Sequence, residues 1–251
     1  MKLVKPALSI TLRSMFTRSS RFYDLIYSSK NYRQEADRLL AIIHARMPGA
    51  KTILDVACGT GEHLRYLPDF NRTGLDLNPE LLRVARAKLP NVSLIQSDMT
   101  AFDLSRQFDV VLCLFSAIGY VVSVKKLNAS VCCMARHVAP GGILCIEPWF
   151  TPEQWLLGKT SMRTVEEGDF KVCRIFAAGR RGKISTNTLH YLVAEGDKVE
   201  YFTESHRLGL FTEEEMRGAF EKGGLAVEFD PVGLENRGLY IGTRTCAGVS
   251  R

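Results

Sequence analysis

The chain has 251 residues, 46% of them hydrophobic, which suits one α/β domain with an insertion and excludes a disordered chain. No apolar run approaches the roughly 20 residues of a membrane span. The net charge of +6 favours anionic partners, yet no basic block is interleaved with aromatics, which argues against nucleic acid.

Residues 1–21 are basic and carry no acid. Lys2, Lys5, Arg13, Arg18 and Arg21 among serines resemble an organelle transit composition, but Pro6 interrupts the amphipathic pattern, so the segment reads as a disordered basic tail. Arg21 to Met47 reads as helical, with apolar faces from Leu25, Ile26, Leu39, Leu40, Ile42 and Ile43, and Pro48-Gly49 ends it. Tyr23, Tyr27 and Tyr32 precede the main core, and packing accounts for one or two of them without a site.

Ile53 to Val56 is a short apolar run carrying Asp55. The small residues Ala57, Cys58, Gly59, Thr60 and Gly61 follow, and Glu62 to Leu67 reads as a helix start. A buried strand, a tight turn and a helix open a doubly wound α/β fold. Thr73 to Leu77 is a second strand, and Asp76 ends it about 20 residues after Asp55, where such folds hold a ribose. Leu94 to Met99 is a third, with Asp98 at its end. A nicotinamide-binding turn requires G-x-G-x-x-G and closeness to a pyrophosphate. Here Ala57 and Leu64 stand at the first and third glycine positions, and Asp55 would repel a pyrophosphate. Carboxylates suit a ligand with adenosine and a positive charge but no phosphate, namely S-adenosylmethionine.

Phe108 to Leu114 is a fourth strand, and Phe115 to Tyr120 leaves its C-terminal end, over the transferable methyl. Neither Asn/Asp-Pro-Pro-Tyr nor a Pro-Cys pair occurs there, which disfavours adenine, protein-glutamine and cytosine acceptors. Leu127 to Val138 reads as a helix closed by Ala139-Pro-Gly-Gly142. A fifth strand, Gly142 to Ile146, then delivers Glu147, Pro148 and Trp149 to the ligand face, where Glu147 could also be a solvated loop acid. From Thr151 to Leu210 the βα rhythm breaks. Lys171–Ala177, Ile184–Val193 and Val199–Leu210 read as antiparallel strands of a small sheet over the site, with basic side chains including Lys171, Arg174 and Arg207. His190 and His206 are either substrate contacts or ordinary strand polars; His206, Leu208 and Leu210 share one face. Thr212 and Glu215 form a capping box for the last helix, Gly223-Gly224 ends it, and Leu225–Asp230 with Gly238–Arg244 make a final hairpin. Arg237 lies in that hairpin's loop, where its guanidinium can grip a diphosphate or face solvent. Seven cysteines without a Cys-x-x-Cys, and scattered histidines, indicate reduced thiols, a cytoplasmic setting and no metal centre.

Asp-Val-Ala-Cys-Gly-Thr-Gly61 resembles the first motif of class I S-adenosylmethionine-dependent methyltransferases. Tyr23-Asp-Leu-Ile-Tyr27, Lys30-Asn-Tyr32, Phe115-Ser-Ala-Ile-Gly-Tyr120, Glu147-Pro-Trp149, His190-Tyr-Leu-Val193, Glu204-Ser-His-Arg207 and Arg237-Gly-Leu239 resemble the TDP-amino-sugar N,N-dimethyltransferases of macrolide deoxysugar pathways. The resemblance implies a seven-stranded Rossmann-like sheet with an antiparallel insertion over the active site. It divides the chain into a tail (1–21), a cofactor-binding core (22–150), the insertion (151–210) and a closing helix and hairpin (211–251). The implied cofactor is S-adenosylmethionine, held by Tyr32, Asp55, Ala57, Cys58, Gly59 and Gly61, by Asp76, Leu77, Asp98 and Met99, and by Phe115 and Ser116. Tyr27, Tyr120, Glu147, His190 and His206 are the implied catalytic group, with Trp149 and Arg237 on the acceptor. A homodimer is expected. Asp76 stands where glutamate is common, Phe150 replaces a second tryptophan, and Glu235-Asn236 precede Arg237, which leaves the acceptor open. The alternatives are a methyltransferase acting on the nitrogen or oxygen of another small molecule, and a non-catalytic cofactor-binding partner protein.

Overall fold

The computed structural model describes residues 16 and 18–245. Most of the basic tail therefore lies outside the described residues. A short 3-10 turn at Ser20–Phe22 leads into α1 (Tyr23–Ile26), and α2 (Tyr32–Arg46) follows. The helical stretch expected from Arg21 to Met47 is thus broken. Asn31 breaks it, because its side chain accepts the Gln34 amide and caps α2. The break turns Tyr27 and Lys30 towards the ligand cavity.

The alternation then proceeds as read: β1 (Thr52–Val56), α3 (Glu62–Arg65), β2 (Asn71–Asp76), α4 (Pro79–Lys88), β3 (Ser93–Gln96), β4 (Phe108–Cys113), α5 (Val124–Arg136) and β5 (Val138–Ile146). The insertion contributes β6 (Thr160–Glu167), β7 (Phe170–Arg181), β8 (Ile184–Glu195) and β9 (Lys198–Gly209), and the chain closes with α6 (Glu213–Lys222), β10 (Ala226–Asp230) and β11 (Leu239–Thr243). The main sheet has seven strands in the order β10-β11-β5-β4-β1-β2-β3. Strands β1 to β5 are parallel, with β2 and β4 flanking β1, while β11 runs antiparallel to both β5 and β10.

Both faces of this sheet are covered, so its central strands are apolar throughout. Leu54, Val56, Val111, Cys113, Leu144 and Ile146 face α5 and α6. Ile53, Val110, Leu112, Ile143 and Cys145 face the opposite layer with Leu39 and Ile43 of α2. The side chains alternate at the strand period of two. Strand β5 begins four residues before the expected Gly142, because a register shift between Phe108 and Val110 admits Pro140-Gly-Gly142 into the ladder. A Cβ on Gly142 would sit 2.7 Å from the Asp109 carbonyl oxygen, so only glycine fits there.

The insertion is a separate antiparallel sheet in the order β6-β7-β8-β9. Two-residue turns join its strands, each opened by a glycine at positive φ: Gly168, Gly182 and Gly196. It has four strands where three were expected. Strand β6 was hidden because it is an edge strand with few apolar residues, nearly all exposed. The inner face packs Val172, Leu189, Tyr191, Val193 and Phe202 against Phe22 and Ile26.

Candidate active site

One cavity of about 520 Å³ runs from the C-terminal ends of the parallel strands to the inner face of the small sheet. Open α/β sheets bind ligands at this edge, where the loops after β1, β2 and β4 diverge.

At the far end Asp76, the last residue of β2, is buried and accepts the amides of Gly59 and Asn78, each at 2.8 Å. Burial pushes its carboxyl up, against the pull of those amides. Leu77, Asp98 and Met99 line the wall beside it. The Asp98 carboxylate takes the Thr100 amide and hydroxyl at 2.8 Å. Ala57 and Gly59 border the cavity with φ of 62° and 56°. Gly61 does not: a Cβ there would lie 2.6 Å from Leu89, so this glycine serves helix–turn packing. Cys58 is likewise behind the turn, filling the space against Gly74, and burial pushes its thiol up. Asp55 is enclosed below the turn; burial raises its carboxyl to about 7, with Asp76 adding to the rise and His63 opposing it.

The middle of the cavity is set by Phe115 and Ser116, consecutive residues in the left-handed region at φ 51° and 59°. Non-glycine residues hold that conformation only when the surroundings fix them. Glu147, fully buried at the end of β5, accepts the Phe115 amide at 2.6 Å. The Ser116 hydroxyl donates to the Pro148 carbonyl at 2.7 Å. Arg237 closes the cluster, 3.3 Å from Glu147, 2.8 Å from Glu235, and donating to Ser116 Oγ at 3.3 Å. Lys30 bridges Glu35 and Glu235 and lies 4.5 Å over the Phe115 ring. Glu147 and Ser116 therefore stand behind the wall, whereas Phe115 and Arg237 are on it.

On the acceptor side Tyr27 meets Phe115 edge-on at 5.2 Å, and Tyr120 Oη lies 3.0 Å from His206 Nδ1. Glu204 Oε2 stands 3.7 Å from the other ring nitrogen of His206. Trp149 borders the cavity while its indole N–H donates to Ser185. Tyr32 sits off the cavity, edge-on to His63 at 5.1 Å. His190 is a correction to the expected group. The strand period puts it on the outer face of β8, where Nδ1 is 2.7 Å from the Tyr201 hydroxyl, so it cannot reach an acceptor in the cavity. The sequence reading assigned no role to Lys30, Arg163, Arg174 or Asn187, all of which line the cavity. Strand alternation carried the signal for two of them, since Arg174 and Asn187 share the face of buried Val172 and Leu189.

Residues 53–142 match the model of a methyltransferase domain. Over 92% of its length the chain is 40% identical to the dTDP-3-amino-3,6-dideoxy-alpha-D-glucopyranose N,N-dimethyltransferase of Streptomyces fradiae, covering 93% of that protein. The chain belongs to the sugar N-methyltransferase family. The sugar N-methyltransferase KedS8 from Streptoalloteichus matches 98% of the chain and 100% of its own, with a TM-score of 0.85 and 34% identity. SAM-bound CalS10, an amino pentose methyltransferase from Micromonospora echinaspora, matches 89% of the chain and 96% of its own at a TM-score of 0.82 and 36% identity.

This methyltransferase is S-adenosylmethionine-dependent. The residues present fit that cofactor. Buried Asp76 at a strand end offers a charge-assisted acceptor for ribose hydroxyls, and Asp98 one strand further out offers one for an amino group. Among the described residues no helix is long and apolar enough to cross a membrane.

Proposed function

We propose that this methyltransferase transfers methyl groups to the amine of a dTDP-linked amino deoxysugar. The continuous cavity carries this reading, because it joins the carboxylate end at Asp76 to a polar and cationic wall on the insertion. Three relatives at 40%, 38% and 35% identity are named for dTDP-3-amino or dTDP-4-amino sugars, which supports the substrate class and leaves the amine's ring position open.

S-adenosylmethionine supplies a sulfonium-activated methyl, which the amine takes as the carbon–sulfur bond breaks. The protein's task is to hold the amine in line and to keep it neutral. Tyr27, Phe115 and Tyr120 present an aromatic, largely buried surface, and burial disfavours the ammonium form. Burial also pushes the Tyr120 phenol up, so it stays protonated and donates or relays rather than acting as a ready base. His206, beside Tyr120 and Glu204, is the side chain placed to take the departing proton.

The outer face of the small sheet exposes Met162, Ile175, Leu192, Val199 and Tyr201. We propose that a second copy covers it, giving a homodimer. The six described cysteines are unpaired, in keeping with a reducing, cytoplasmic setting. A turnover screen of 3-amino and 4-amino dTDP-sugars with mass detection tests the substrate reading. Turnover of none of them by a protein that binds S-adenosylmethionine would refute it.

A further inference from the structure

Arg163 of β6 and Arg174 of β7 face one another across the antiparallel ladder. Like charges directly opposite on one face of a sheet are destabilising unless something compensates them. Both side chains line the acceptor half of the cavity, and neither is in an ion pair among the described residues. Glu166, an acid on the same ladder, lies on the opposite face of β6, where it pairs with Lys171 at 3.4 Å. The contacts they do make are neutral. Arg163 donates to the Ile26 carbonyl at 2.9 Å, and Arg174 donates to the Tyr27 hydroxyl at 3.1 Å and to Tyr191. Each guanidinium has five N–H donors, so most remain available. The Nε of Arg174 is buried without a partner, and so is Oδ1 of Asn187, another cavity residue that is more than nine-tenths buried. Buried polar atoms in folded proteins are normally satisfied, so these point to a ligand that completes them.

Arg237 is in the opposite condition. It lies against both Glu147 and Glu235, which already balance its charge. The expectation that it grips a diphosphate therefore meets a physical objection, because an arriving dianion would have to displace two carboxylates. We propose instead that Arg163 and Arg174 bind the diphosphate of the acceptor, with Oδ1 of Asn187, four residues along β8 from the partner of Arg174, accepting from a sugar hydroxyl. This rests on the nucleotide-linked acceptor proposed above. Two forks on adjacent strands match two phosphate groups, and guanidinium–phosphate bonds are among the stronger hydrogen bonds. The pair is also tied to Ile26 and Tyr27, the turn that reaches Phe115. Binding energy gained at the diphosphate is thereby available to position the amine.

The test is calorimetric titration of dTDP, together with steady-state kinetics on a dTDP-amino sugar. The proteins are wild type, Arg163→Gln, Arg174→Gln, Arg163→Lys and Arg237→Gln, each checked for thermal stability and S-adenosylmethionine affinity. The proposal expects dTDP affinity to fall on the order of tenfold or more in each glutamine variant of the pair, with cofactor affinity unchanged. Arg163→Lys keeps part of the affinity, and Arg237→Gln lowers turnover far more than dTDP affinity. Should Arg174→Gln fail to fold, Arg163→Gln on the exposed edge strand decides alone. Wild-type dTDP affinity in the folded variants overturns the assignment, as does loss of dTDP affinity in Arg237→Gln only, and both leave the substrate reading standing. A wild-type protein that binds S-adenosylmethionine but neither dTDP nor its amino sugars overturns the substrate reading itself.

Discussion

The guanidinium of Arg237 lies 3.3 Å from the buried carboxylate of Glu147, and the same carboxylate holds the Phe115 amide at 2.6 Å. The loop between β10 and β11 is thereby tied to the end of β5 directly behind the left-handed pair Phe115-Ser116. Two left-handed non-glycine residues cost on the order of 1–3 kcal/mol each. The Glu147–Arg237 contact stabilises that conformation, and we propose that Glu147 acts as a positioning residue and not as a base.

Glu147→Gln should therefore lower kcat on the order of tenfold or more and lower the melting temperature, while the shape of the kcat–pH profile stays that of wild type. Loss of one limb of that profile would instead mark Glu147 as the proton acceptor.

Asp76 supports the second prediction. A charge-assisted hydrogen bond contributes roughly 1.5–3 kcal/mol, so Asp76→Ala should weaken S-adenosylmethionine binding on the order of tenfold to a hundredfold by calorimetry. Unchanged affinity would remove Asp76 from the ribose.

How far the sequence disclosed this site follows from which residues obey local rules. That Asp76 and Asp98 line the cavity was legible because ligands of open α/β sheets bind at the C-terminal ends of the strands. The capping box of Thr212 and Glu215 was legible because it is complete within four residues, and the structure forms both of its bonds. His190 was misplaced because a motif resemblance does not say which face of a strand is inward; the burial of its chain neighbours Leu189 and Tyr191 on the opposite face settles that. Arg163 was missed because its strand hardly looks like one, and its importance arises from a neighbour across the ladder, Arg174. Gly61 was assigned to the cofactor on the strength of its motif, yet its neighbour in space is Leu89. Such long-range contacts leave no trace in spacing.

Asp55 makes the protein pH-sensitive in a defined direction. Its carboxyl is raised from 3.8 to about 7, mainly by burial. The neutral buried form contributes stability that is fully present below about 3.8 and is lost as pH rises through about 7. A positively charged cofactor favours the carboxylate, so binding should release a proton and affinity for S-adenosylmethionine should rise with pH towards 7. Asp55→Asn should flatten both trends, as measured by thermal melts and by calorimetry in buffers of different ionisation enthalpy. A wild-type affinity independent of pH between 5 and 8 would contradict the linkage (a span bracketing the shifted value of about 7).

The outer face of the small sheet makes the oligomeric state testable. Leu192→Glu and Tyr201→Glu place charges on two of its exposed apolar positions. Light scattering should show a dimer for wild type and a monomer for the double variant, with S-adenosylmethionine affinity retained. A monomeric wild type at micromolar concentration would overturn the dimer.

The central claim is methyl transfer to nitrogen on a nucleotide-linked sugar. Its most direct test is a competition in one vessel between the dTDP-amino deoxysugar that the turnover screen finds accepted and the analogue with a hydroxyl in place of the amine, followed by mass spectrometry. The account predicts products of the amino sugar heavier by one and then two methyl groups, with matching release of S-adenosylhomocysteine and no methylated hydroxyl analogue. Methylation of the hydroxyl analogue, or equal turnover of the amino sugar stripped of its nucleotide, would contradict it.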